Sequence, residues 1–136
     1  VRVDGSASNQ GGLYPAEDFV SASFTLNNGI EGMGHWCYVA GINIDRTEII
    51  GTKGRIVYSC FNNDPVEIET TGNIETIYEP LPDNTHTPLI ESAVNQLLGQ
   101  GKCFSSHENG LRAMYVHERL LAGFYNRKIP HSPKML

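Results

Sequence analysis

Glu48-Ile49-Ile50-Gly51-Thr52-Lys53-Gly54-Arg55-Ile56-Val57 is apolar and β-branched at both ends and interrupted by two glycines three apart. Such flanks have strand chemistry, and glycine supplies the positive φ angles that a tight reversal needs. The stretch therefore predicts a β-hairpin. A dinucleotide loop needs Gly-x-Gly-x-x-Gly between a strand and a helix, and a phosphate loop needs Gly-Lys followed by Ser or Thr. Here a strand follows, so the glycines turn the chain and bind no phosphate.

The same chemistry extends to both sides. Upstream, Val20, Ala22, Phe24 and Leu26 alternate with Ser21, Ser23 and Thr25, the pattern of a strand with one face in a core. Asn27-Asn28-Gly29 supplies a turn. The return strand, Ile30 to Ala40, carries large apolar groups on both faces and is expected to be buried on two sides, one of them a subunit interface. The segment before this hairpin reads as the end of a strand at Val1–Val3. A loop rich in Gly, Ser and Asn follows from Asp4 to Pro15, expected to be a mobile connection first and part of a site second. Downstream, Val66–Thr70 is a strand with acidic residues outward, and Thr71-Gly72-Asn73 turns it into Ile74–Tyr78.

Helical periodicity begins only at Pro88. Ile90, Ala93, Val94, Leu97 and Leu98 form one stripe of a first helix, stopped at Gly99 or Gly101. A second helix follows the cap region at Ser106 and runs to about Asn126, with Leu111, Met114, Leu121 and Phe124 as its core stripe. Strands followed by helices predict an α+β fold. The expected form is an open, predominantly antiparallel sheet with helices packed on one face and the other available for oligomerisation.

At 136 residues, with 40% hydrophobic and 18% charged residues, the chain fits a single domain, 1–136. A net charge of −5 disfavours nucleic acid and anionic membrane as partners, and the only basic cluster is the sparse tail of Arg127, Lys128 and Lys134. No apolar run approaches the ~20 residues that cross a bilayer. Three widely spaced cysteines, Cys37, Cys60 and Cys103, favour a reducing compartment and hence a cytoplasmic setting. An opening Val rather than Met suggests a fragment or a processed product.

Residues with possible chemistry give no complete site. His35, Cys37 and Cys60 could contribute to a zinc site but lack an evident fourth ligand, and Cys is commonly a core residue. Cys103 and His107 lack the third group that would orient a nucleophile–base pair. Neither His117 with Glu118 nor Asp83, His86 and Glu91 assigns acid and base roles.

Read as an ordered set, the motifs resemble the C-terminal domain of the Gfo/Idh/MocA oxidoreductases, the family of glucose–fructose oxidoreductase and inositol dehydrogenase. The stretches are Glu17 to Gly32, then Glu48 to Val57, then Leu98-Gly99-Gln100-Gly101-Lys102 and Ser106 to Ala113. The resemblance runs from about Glu17 to Arg127. It implies a parent enzyme with an N-terminal Rossmann domain that binds NAD or NADP and exchanges a hydride with a sugar, polyol or derivative. That domain and the family's catalytic lysine are absent here, so this chain is expected to hold no cofactor and to be inactive alone. What the resemblance leaves to it is homo-oligomerisation through the sheet face and a share of the substrate pocket. The segment before the glycine hairpin, with Asn43, Asp45 and Arg46, is the expected substrate-binding contribution, since polar side chains there would hydrogen-bond hydroxyls. Two other readings stand beside it: a non-catalytic dimerisation or interaction domain, and a sugar-binding module, for which Trp36 alone is thin support.

Overall fold

The computed structural model describes residues 2–128. Val1 and Lys134 therefore lie outside the described residues. The chain divides into two compact units, the first drawn from residues up to Gly41 and from Phe104 onward, the second Ile42–Cys103. Both units are built on antiparallel sheets, and with two helices the chain is α+β.

In the first unit, β1 (Arg2–Ser8), β2 (Phe19–Thr25) and β3 (Glu31–Cys37) pair in that order. The alternation in β2 does what its pattern predicts. Ala22 is buried with Val3 and with Leu120 of α2 (His107–Leu121), and Val20, Phe24, Tyr115 and Val116 pack around them. Gly29, at φ +82°, closes the β2–β3 turn, with Gly29 N donating to Leu26 O and Leu26 N to Ile30 O, each at 2.9 Å.

Three expectations change here. β1 extends to Ser8 rather than ending at Val3, because Gly5, Ser6 and Ala7 pair with Ala22, Ser21 and Val20. Its small residues are a packing requirement: a Cβ on Gly5 would stand 2.6 Å from Leu120 Cδ2 and 2.2 Å from Ser21 O. Strand β3 is an edge of this sheet, with Met33 at 90% exposure, so within the chain it is not buried on two sides. In α2 the packed residues are Tyr115, Val116 and Leu120, whereas Leu111 and Met114 are exposed. The helix also ends at Leu121, short of Asn126. Arg119 reinforces this seating by donating from Nη2 to Val3 O at 3.1 Å.

In the second unit, β4 (Thr47–Gly51), β5 (Gly54–Tyr58), β6 (Val66–Thr70) and β7 (Asn73–Ile77) form a meander. The glycine hairpin is present, but Gly51 is not left-handed. Gly54 is the constrained position, at φ +156° with a Cβ site 2.0 Å from Glu69 O. The register places Ile49, Ile56 and Ile68 in one row across the sheet. Ile49 is 55% exposed, so this face is an uncovered apolar surface. The opposite face carries a charge row. Arg55 donates to Glu48 at 2.8 Å and to Glu69 at 2.6 Å, and Arg46 lies 3.6 Å from Glu48. The Arg55 hydrogen bond holds the Glu48 carboxyl below the usual glutamate range, and Glu48 and Glu69 in turn raise the Arg55 pKa.

Helix α1 (Thr87–Leu97) opens with Pro88 in its first turn and ends at Gly99 with φ +72°, as its sequence signals indicate. Among the described residues it packs on no strand, and Ile90, Val94 and Leu97 are exposed. The sheet-packing helix is thus α2. No helix of the described residues is long and apolar enough to cross a membrane.

Two outcomes follow for stability. Leu120→Ala should cost about 2–5 kcal/mol in urea unfolding, while Leu111→Ala should stay within about 0.5 kcal/mol; the reverse order would refute the helix seating. Because the folded-state pKa of Glu48 is depressed, its contribution is fully present above its unfolded value and is lost as pH falls from there through the lower folded-state value. Glu48→Gln should therefore flatten the fall in thermal midpoint between about pH 5 and 3, and an unchanged slope would remove this account.

Candidate functional site

Two loops are built by the same local chemistry, an aspartate at a strand entrance gathering backbone amides. The first lies between β1 and β2. Asp18 accepts from Gln10 N and Gly11 N, both at 2.7 Å, one on each carboxylate oxygen. Asn9 completes the loop: its Nδ2 donates to Tyr14 O and, at 2.7 Å, to Ala16 O, while its Oδ1 accepts from Gly12 N at 2.7 Å. A left-handed Gly12, at φ +67°, makes that path possible. This segment, expected to be a mobile connection, is instead tied down by side chains. It walls a cavity of about 280 Å³ lined by Leu13, Tyr14, Glu17, Asp18, Tyr38 and Val39. Glu17 is further held by the Tyr125 hydroxyl, and that bond raises the Tyr125 pKa. The Arg127 guanidinium lies 4.8 Å from the Tyr125 ring centre.

The second loop precedes β4 and contains Asn43, Asp45 and Arg46. Asp45 Oδ1 accepts from Cys60 N at 3.0 Å, and Oδ2 accepts from Phe61 N at 2.6 Å and Asn62 N at 3.0 Å. Hydrogen bonds from Cys60 and Phe61 are the main reason its carboxyl is held below the usual aspartate range. Asn43 is exposed, and its side chain has no hydrogen-bond partner among the described residues. Arg46 is exposed with a single long ion pair, to Glu48, leaving most of its donors open. The three residues share one loop but not one condition: two present open polar groups and one is engaged.

Phe61 sits past the end of β5 on the turn that Asp45 holds, at 88% exposure. The available signal was Asn62-Asn63-Asp64-Pro65, whose turn begins earlier than its composition suggests. Ser59 Oγ donates to Asn62 O at 2.8 Å and accepts from Asp64 N at 3.3 Å.

The remaining candidates stand separately. Cys60 Sγ lies 3.2 Å from Thr47 Oγ1, and Cys103 Sγ lies 3.4 Å from Ser92 Oγ. His107 is exposed beside Glu108 at 3.2 Å. Among the described residues no group of three or more His, Cys, Asp or Glu is arranged to hold a metal ion.

No family model matches this sequence, and no curated protein matches it. Solved structures do share its fold. Similarity covers 88% of the chain to UDP-N-acetylglucosamine 3-dehydrogenase from Acidithiobacillus ferrooxidans, at 19% identity and a TM-score of 0.76. It covers 91% of the chain to an oxidoreductase from Agrobacterium radiobacter in complex with NAD+, L-tartaric acid and magnesium, at 13% identity and a TM-score of 0.76. The chain spans only 38% and 41% of those two proteins. At these identities the likeness establishes the fold: this chain has the architecture of a part of larger oxidoreductases.

Proposed function

We propose that this chain is the C-terminal substrate-binding and oligomerisation domain of an NAD(P)-dependent oxidoreductase of the Gfo/Idh/MocA type, working in the cytoplasm on a sugar, polyol or derivative. The observation that carries the reading is a fold shared over 88% or more of the chain with oxidoreductases more than twice its length. The ordered motifs from Glu17 to Ala113 support the same family. Dinucleotide and hydride chemistry belong to the parent's own Rossmann domain, which is this chain's first partner. The chain supplies the polar loop of Asn43, Asp45 and Arg46 toward substrate hydroxyls, with Asn43 and Arg46 offering the open groups. The exposed Ile49 and Ile56, in one row with the half-buried Ile68, support assembly of two or more copies through the sheet.

That same uncovered face favours the second reading, a dimerisation domain without catalysis. One set of measurements separates the two. The full-length protein is mixed with NAD+ or NADP+ and a panel of nucleotide sugars, aldoses and polyols, and reduced nicotinamide is followed by absorbance. Turnover of at least one compound is expected. Oligomers in light scattering with no dinucleotide binding and no turnover would leave the interaction domain as the reading. In the active enzyme, Asn43→Ala should raise KM for the best substrate about tenfold, the effect of one lost hydrogen bond of ~1.4 kcal/mol. Unchanged kcat and KM would remove Asn43 from the pocket.

A further inference from the structure

We infer that Asp45 is a positioning residue: its carboxylate holds the 43–46 loop against the Cys60–Asn62 turn, so that Asn43 and Arg46 meet the substrate while Asp45 does not. The inference rests on the reading of this loop as substrate-facing and goes beyond it by dividing the work among its three polar residues.

Three consecutive amides converge on one carboxylate, at 3.0, 2.6 and 3.0 Å, so both oxygens are engaged. Successive backbone N–H groups of a turn form an anion-binding concavity, and here the anion is the chain's own side chain. These three bonds leave Asp45 at most one acceptor site, on Oδ1, whereas Asn43 and Arg46 keep most of their polar groups open. The turn is a firm anchor: Ser59 bonds both Asn62 and Asp64, and Asn63 Nδ2 donates to the Tyr78 hydroxyl at 3.0 Å. The loop has no comparable support. Outside the strand ladders, no backbone–backbone hydrogen bond holds residues 42–46 among the described residues. One carboxylate therefore fixes the path of the segment that presents Asn43 and Arg46. It also fixes the turn that exposes the Phe61 ring beside it.

Asp45→Asn in the full-length protein tests this, because it keeps the side chain's shape but replaces one acceptor with a donor facing amide donors. Amide exchange at Cys60, Phe61 and Asn62 should quicken about tenfold or more, while β5 and β6 keep their protection. KM for the best panel substrate should rise about tenfold, with KM for the dinucleotide unchanged. A purely structural role would move the thermal midpoint without that split between the two KM values. Unchanged exchange at the three amides would overturn the inference. So would faster exchange with an unchanged substrate KM, provided Asn43→Ala still raises it, and then the functional reading survives. If neither substitution moves any kinetic constant, the loop is not substrate-facing and both readings fall. Should the variant fold poorly, the wild-type protein still decides: exchange of these amides at free-loop rates would show that no such hold exists.

Discussion

The contact of Leu120 with Val3 and Ala22 is the constraint on which the first unit depends. A leucine from the last turn of a helix reaches a sheet only where the sheet is thin, and here it is thinned by glycine and alanine at paired positions. Gly5 and Ala22 are partners in register, and adding one carbon at Gly5 would bring it within 2.6 Å of Leu120. The closeness of helix and sheet then lets Arg119 reach the Val3 carbonyl and brings the chain beyond α2 within reach of Glu17 through Tyr125. Helix seating and loop order are in this way parts of one arrangement.

Between the regular elements the chain relies on carboxylates rather than on apolar packing. Asp18 stands one residue before β2 and Asp45 two residues before β4, and each collects the amides of another segment. An ionised carboxylate suits this task because it accepts several hydrogen bonds at once and is stabilised by amides aimed at it. The result is irregular backbone with a defined course, which a site made from loops requires. Glycine-rich composition alone would have given the first loop no such order.

What the sequence made legible follows the same division. Period-2 alternation in residues 20–26 found β2 and its buried face, because a strand's faces are set by local geometry. Turns at Gly29 and Gly72 and the stop at Gly99 were readable for the same reason. The strands of the second sheet and the α+β class came from runs of that kind, while the division into two sheets did not. By contrast, β1 was hidden because its Gly, Ser and Ala residues have loop composition, and only the strand beside it and the helix over it make them a strand. Leu111 and Met114 fit the period of α2, yet periodicity does not say how much of a helix a short sheet covers. The apolar groups on both faces of β3 suggested double burial, whereas within the chain Met33 is 90% and Trp36 42% exposed. For the expected site, Asn43, Asp45 and Arg46 came from the family resemblance, which pointed to the segment before the hairpin. Which of them was already engaged depended on the turn at Cys60–Asn62, more than a dozen residues away.

The first unit is discontinuous along the chain: its sheet is complete by Cys37, while the helix that covers it does not begin until His107. During synthesis the apolar side of β2, with Val20, Ala22 and Phe24, is therefore made long before its cover. The intervening residues 42–103 are joined by short hairpins and need only local encounters to pair. Closing the first unit requires a loop spanning all of them, the slowest kind of encounter for a chain of this size. It is the covering of the first sheet, not the pairing of its strands, that waits for the far end of the chain. The interval in which β2 stands bare is when the nascent protein most needs protection from its neighbours.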